Sequence, residues 1–249
     1  MSLIEIDHLS HRFANGHLAL DRVTLRVEEG CFAVIVGPNG SGKTTLLRHL
    51  NGLLFPSSGE VRVAGISVPD NPDQARQVVG MVFQNADGQI VGETVIDDVA
   101  FGPENLGLSR MEINRMVRQA LEEVDLVELA DQSPYALSGG EKRRLAIAGV
   151  MVMKPRVVVF DEPFSNLDYP GIRQVLAQIV RLHRNGHTIL VTTHDLEKVI
   201  AHADRLIMMA GGQVVRDGVP HEVVGDSELF GIRKPCAFRM GLEVESWLT

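Results

Sequence analysis

One short stretch constrains this chain more than any other: Gly37-Pro38-Asn39-Gly40-Ser41-Gly42-Lys43-Thr44-Thr45. It follows a continuous apolar run, 31–36, and precedes Leu46, Leu47 and Leu50, which are at helical spacing and end at Asn51-Gly52. An unbroken apolar run reads as a strand buried on both faces, and Asn-Gly after periodic leucines reads as a helix stop. Strand, glycine loop and helix together make a place where backbone N–H groups and the helix dipole converge on an anion. Residues 37–44 fit G-x-x-x-x-G-K-[ST], a pattern that average composition yields about once in a hundred chains of this length. The flanking strand and helix therefore separate this loop from a structural glycine turn. Gly37, Gly40 and Gly42 let the backbone wrap a phosphate chain, and Pro38, Asn39, Ser41 and Thr45 complete the loop. Lys43 is the candidate contact to β and γ phosphates, and the Thr44 hydroxyl is the candidate holder of Mg²⁺.

A carboxylate that completes such a metal site belongs at the end of a neighbouring apolar strand. Asp161 stands there, directly after Val157-Val158-Val159-Phe160, and Glu162 follows it. A second carboxylate aimed at the γ phosphate can orient or deprotonate the attacking water, a role worth roughly 10² to 10⁴ in rate. An ordinary polar turn before Pro163 is the competing reading, and the phosphate loop is what disfavours it.

Around these residues the chain alternates strand and helix signals. Ile4 and Ile6 alternate with Glu5 and Asp7, and Val23, Leu25 and Val27 with polar neighbours; 61–63 and 78–83 read as further strands. Ser109 with Glu112, and Ser138 with Glu141, form capping boxes opening two helices, the first with Ile113, Val117, Ala120, Leu121 and Val124 on one face. The second runs through the longest apolar run, 145–153, to Pro155. Residues 85–155 thus form a helical lobe inserted into an α/β core, which resumes with the strand 157–160, a helix from Pro170 through His183 and a strand 188–192. Short strands at 205–210 and 213–215 flank Gly211-Gly212, and a polar tail without strong periodicity follows from about Gly225. The organisation is one domain over 1–249, with the core at 1–84 and 156–215, the helical lobe at 85–155 and the tail at 216–249.

Composition excludes several classes of function. With 24 basic against 32 acidic residues the net charge is −8, which disfavours a nucleic-acid partner. The run 145–153 falls far short of the ~18 apolar residues that a spanning helix needs. No basic, apolar leader opens the chain, so the expected compartment is the cytoplasm. The two cysteines, Cys31 and Cys236, lie far apart, in keeping with a reducing compartment, and Cys31 reads as a buried small hydrophobe. Of the nine histidines, His183 and His187 straddle Asn185-Gly186 and share no helical face, and His8, His11 and His17 show no paired spacing, so no structural metal site is expected.

The motifs together resemble one family, the ATP-binding cassette (ABC) ATPases. Leu137-Ser138-Gly139-Gly140-Glu141 is similar to the family's signature, Gln84 to its Q-loop glutamine, Ser165-Asn166-Leu167-Asp168 to its D-loop and His194 to its switch histidine. Phe13 lies where the family carries an aromatic that stacks on adenine. The resemblance implies an α/β P-loop NTPase fold of RecA-like type, with a mostly parallel sheet, an antiparallel β-subdomain and an inserted α-helical subdomain. It implies an ATPase using ATP and Mg²⁺, with Glu162, His194 and Gln84 catalytic and Thr44, Gln84 and Asp161 at the metal, Asp161 through water. It also implies a dimer in which Ser138, Gly139, Gly140 and Glu141 face the phosphate loop of a second protomer. Two copies of this chain are the first expectation and a mixed pair of ATPases the alternative. A Ser-Gly-Gly helix start is by itself an anion site, with a plain helix cap as the bland alternative.

Beyond Gln84 the resemblance narrows to the ATPases of energy-coupling factor (ECF) importers of vitamins or cobalt and nickel ions. It rests on Val82-Phe83-Gln84-Asn85-Ala86-Asp87-Gly88-Gln89-Ile90-Val91, on 94–108, on 143–153 and on Leu229-Phe230-Gly231-Ile232 with Pro235. It implies a peripheral place on the cytoplasmic face of the membrane. Segment 85–91 would dock on a transmembrane coupling protein, while a separate small membrane protein captures the substrate. Glu141, where glutamine is commoner, Phe164 in place of threonine and Tyr169 in place of proline depart from the pattern. A cassette ATPase of another system, in cell division or lipid export, is the alternative.

Overall fold

The structure is a computed structural model that describes residues 2–248. The early alternation becomes strand β1 (Ser2–Arg12), paired antiparallel with β2 (Leu18–Glu28). Alternation lapses after Asp7 because His8, at φ 48°, bulges the strand and shifts its register between Ile6 and Leu9. Next comes β3 (Phe32–Val36), buried at every residue, and the glycine loop then leads into helix α1 (Lys43–Leu50). Strands β4 (Ser58–Val63) and β5 (Ile66–Ser67) complete a four-stranded antiparallel sheet in the order β2-β1-β4-β5. Helix α2 (Pro72–Val78), which buries only Ala75 and so carries no apolar periodicity, leads to β6 (Val79–Val82).

The inserted lobe contains α3 (Val95–Asn105), α4 (Arg110–Glu123) and α5 (Gly139–Met151). Both capping boxes form, Ser109 with Glu112 and Ser138 with Glu141, and α4 buries Ile113, Val117, Ala120 and Leu121, the face its spacing marks. The core resumes with β7 (Val157–Asp161), α6 (Tyr169–Arg184), β8 (Thr188–Thr193), β9 (Arg205–Ala210) and β10 (Gln213–Gly218). These strands form a six-stranded sheet in the order β10-β9-β3-β8-β7-β6, parallel except for β10. Its two faces bury different partners: Phe32, Val34 and Val36 of β3 pack toward the helical lobe and α6, while Ala33 and Ile35 pack toward α1 and the antiparallel sheet. Because β3, β8 and β7 are parallel neighbours, the glycine loop, His194 and Asp161-Glu162 all emerge at one sheet edge.

Two expectations are corrected, the extent of β10 and the burial of Cys31. Strand β10 continues past 215 to Gly218, where the successive exposed residues Arg216 and Asp217 give no apolar alternation to read. The tail without strong periodicity carries short elements: turns at Val224–Phe230 follow α7 (Pro220–Val223), and α8 (Cys236–Met240) comes after. Buried Ile232, with Phe230, Phe238, Val244 and Trp247, anchors it to the core at irregular intervals that leave no period to read. Cys31 is only partly buried, and its thiol is pushed up to about 11 by desolvation, with Asp204 adding to the shift. Among the described residues no helix is long and apolar enough to cross a membrane.

Candidate active site

The loop between β3 and α1 holds its shape through glycines that nothing else could replace. Gly42, at φ 101°, caps α1, and a Cβ there would stand 2.7 Å from the Ala19 carbonyl. A Cβ on Gly37 would stand 2.3 Å from the Met209 carbonyl, so the loop is pressed against the end of β9. Lys43 is 6% exposed, and its Nζ donates to the carbonyls of Gly37 (2.7 Å) and Pro38 (3.2 Å). Burial holds its ammonium below the usual lysine range, with Glu162 and Asp161 pulling the other way. A bound polyphosphate would give that cation a direct negative partner.

At the next residue, Thr44 Oγ1 lies 2.9 Å from both carboxylate oxygens of Asp161, whose Oδ1 also accepts from Thr192 Oγ1 at 2.7 Å. A hydroxyl and a carboxylate at one point are hard oxygen donors of the kind Mg²⁺ takes. Glu162 follows at φ 47°, a conformation disfavoured for a residue with a side chain. It is over-determined by its neighbour: the Glu162 N–H donates to both the carbonyl and the Oγ1 of Thr192, each at 3.1 Å. Held this way, the Glu162 carboxylate sits 3.0 Å from His194 Nδ1, with the imidazole largely exposed.

A cavity of about 370 Å³, within the range of small-molecule sites, is lined by Phe13, His17, Ala19, Asn39, Gly40, Ser41, Gly42, Lys43, Thr44, Thr45, Gln84, Glu162 and His194. Sequence-separated candidates thus meet at one place. Gly37 and Pro38 contribute through the carbonyls that grip Lys43, and Asp161 opens on an adjoining cavity of about 650 Å³ that Thr44 and Gln84 share.

The ABC transporter family model matches residues 20–165, more than half of the chain. The chain belongs to the ABC transporter family. It is 40% identical, over 92% of its length and 83% of the relative's, to the energy-coupling factor transporter ATP-binding protein EcfA of Methanococcus maripaludis. It is 46% identical to a putative ABC transporter ATP-binding protein of Halobacterium salinarum, over 94% of this chain and 100% of that one. The solved structure of cbiO1 from Clostridium perfringens, part of the ABC transporter complex cbiONQ, is 34% identical and superposes over 92% of both chains with a TM-score of 0.83. This ABC chain binds ATP and is an ATPase.

The signature residues lie elsewhere in this ABC subunit. Ser138, Gly139, Gly140 and Glu141 start α5, and among them only Gly139 lines the larger cavity; none lines the smaller one. Within the chain they cap the helix: Ser138 Oγ accepts from the Glu141 N–H, and the Ser138 N–H donates to Glu141 Oε2 at 2.7 Å. The Ser138 hydroxyl, with its amide, holds the Glu141 carboxyl below the usual carboxylate range, so Glu141 adds a charge to the helix N-terminus where glutamine would be neutral. Of the other departures, Phe164 fills the core, and Tyr169 starts α6 with its ring 5.5 Å from that of Trp247.

Beneath Phe13, which is 38% exposed, lies a layer that no motif announces. The Phe13 ring meets that of His11 edge-on at 4.6 Å, and His11 Nδ1 stands 3.2 Å from Nε2 of His49, a fully buried residue of α1. His49 Nδ1 donates to the Thr45 carbonyl at 2.7 Å, a tautomer that leaves Nε2 to accept from His11 Nδ1. Burial holds the His49 imidazole below its ordinary value of 6.5. The unfolded chain therefore binds the proton first, so His49 contributes stability above pH 6.5 that is lost as pH falls from there through its folded pKa. His49→Gln is expected to flatten the fall in melting temperature between pH 7 and 5; an unchanged pH slope by thermal denaturation would refute this.

Proposed function

We propose that this chain is the ATP-hydrolysing subunit of an ECF-type importer, acting as a cassette dimer on the cytoplasmic face of the membrane. Its cargo would be a vitamin or a transition-metal ion such as cobalt or nickel, captured by a separate membrane protein. The observation that carries this reading is the character of the stretch beyond Gln84. Segment 85–91 is pinned rather than loose: the Val91 and Gly92 N–H groups donate to Asp98 Oδ1 at 2.7 and 2.9 Å. Large apolar side chains nevertheless stay exposed at its end and beyond, at Val91, Phe101, Leu106 and Met111. A rigid loop beside uncovered apolar side chains suits docking against another protein. The similarity to EcfA proteins, and to a cbiO1 that is part of a transporter complex, points the same way.

In the catalytic step, Lys43 and the loop amides hold the phosphates while Glu162, oriented by His194, takes up the proton of the attacking water. Phe13 stacks on adenine. Thr44, Asp161 and the side-chain oxygen of Gln84 would hold Mg²⁺, which when bound neutralises charge on the phosphates. Ser138 of the partner subunit and the glycines after it would close over the γ phosphate, so that ATP binding favours the closed dimer and phosphate release reopens it.

The test is to tag the chain, solubilise native membranes in mild detergent and identify what copurifies. Recovery of a multi-spanning coupling protein with a small capture protein is the expected result. Division proteins or lipid exporters in their place would overturn the importer reading. Phe101→Asp places a charge in the proposed interface and is expected to cost about 2 kcal/mol of docking, roughly 30-fold in affinity. ATP hydrolysis by the isolated variant should stay near that of the parent.

A further inference from the structure

Arg143 is a buried cation that the chemistry above leaves unused. It is 4% exposed on α5, yet its guanidinium reaches off the helix: Nη1 donates to the Phe83 carbonyl at 2.5 Å and Nη2 to the Gln84 carbonyl at 2.7 Å. Its Nε is buried with no partner among the described residues. Arginine keeps its charge in a protein interior, and desolvation here works against it, with Asp161 and Asp87 compensating in part. An aliphatic side chain would fill the same space without that cost, so packing does not account for the charge. What a planar fork of donors does here is fix two successive carbonyls where the chain leaves β6.

The surrounding contacts hold the same stretch. The next-door Lys142 pairs with Asp87 at 2.7 Å, and the Gln89 amide bridges the Phe83 N–H and the Met81 carbonyl, both at 3.1 Å. The Gln84 side chain is by contrast exposed and makes no hydrogen bond among the described residues. Arg143, Gln84, Thr44, Asp161 and Gly139 line one cavity of about 650 Å³.

We propose that Arg143 is a positioning residue for Gln84: it fixes the Gln84 backbone beside Thr44 and Asp161 so that the side-chain oxygen reaches the metal. Because Arg143 belongs to the helix that Ser138 starts, it also ties that reach to the placement of the signature. The inference rests on the assignment of Gln84 as a metal ligand made above.

The test compares the intact chain with Gln84→Ala, Arg143→Met, the double variant and Arg143→Lys. ATP binding without Mg²⁺, followed with a fluorescent analogue in chelator, is expected to match the parent in all four. Arg143→Met and Gln84→Ala should each raise the Mg²⁺ concentration for half-maximal hydrolysis about 10-fold, the scale on which a lost ligand-orienting contact weakens a metal site. The double variant should be no worse than the larger single effect, since both changes break one linkage. Arg143→Lys, which keeps the charge but can grip only one carbonyl, should fall between parent and Arg143→Met, and its double with Gln84→Ala carries the same cycle if Arg143→Met fails to fold. Amide hydrogen exchange over 83–89 should quicken in Arg143→Met without nucleotide. Additive effects, or a normal Mg²⁺ requirement in Arg143→Met beside a raised one in Gln84→Ala, overturn the positioning role alone. A normal requirement in Gln84→Ala removes the ligand assignment and this inference with it.

Discussion

Glu162→Gln is expected to stop turnover while ATP stays bound. The side chain keeps its shape and its backbone keeps the φ of 47° that the two Thr192 contacts impose, so the site should fold unchanged. What is lost is the group that accepts the proton, and kcat is expected to fall by about 10² to 10⁴, the usual contribution of a positioned general base. Removing a negative charge beside the γ phosphate also favours the nucleotide-bound state, so an ATP-loaded dimer should accumulate. Single-turnover hydrolysis and size-exclusion chromatography with ATP read both effects. A variant hydrolysing at the parent's rate would end the assignment of Glu162 as the base, and His194, at 3.0 Å, would be the next group to examine.

Lys43→Ala is expected to weaken nucleotide binding severely rather than slow chemistry. The ammonium is buried between two loop carbonyls with Glu162 and Asp161 in its field, so little water competes for it. Losing a charge-assisted contact to phosphate in such a place costs about 3 kcal/mol, or roughly two orders of magnitude in Kd. The Gly37 and Pro38 carbonyls also lose their donor, so the variant should melt slightly lower than the parent. Equilibrium binding of a fluorescent ATP analogue, with circular dichroism as a check on folding, separates the two effects. A Kd like that of the parent would sink the phosphate role.

Much of the site was legible before the structure, and the reason is local. Residues 37–45 announce themselves because the backbone conformations that cradle phosphate need glycine at set positions between a strand and a helix. Asp161 and Glu162 were legible because two successive carboxylates stand out directly after four apolar strand residues, where a phosphate loop calls for a metal-holding carboxylate. Both capping boxes were legible because their partners stand three residues apart. By contrast Thr192, which holds both Asp161 and Glu162, lies 30 residues from the latter and looks like any strand threonine. The His11–His49 pair spans 38 residues, and neither belongs to a motif.

The sequence alone determined the alternating α/β class, the glycine loop between strand and helix, the strand-end carboxylates and the helical insertion, since each follows from spacing within a turn, a strand or a cap. Only the tertiary structure decided that β3 lies between β8 and β9, that the tail folds back through Ile232 and Trp247, and that Arg143 reaches carbonyls 60 and 59 residues away. Those contacts depend on which surfaces the packed core brings together. Residues that meet across a sheet or between lobes need share no spacing, so their partnership exists only once the hydrophobic faces have docked.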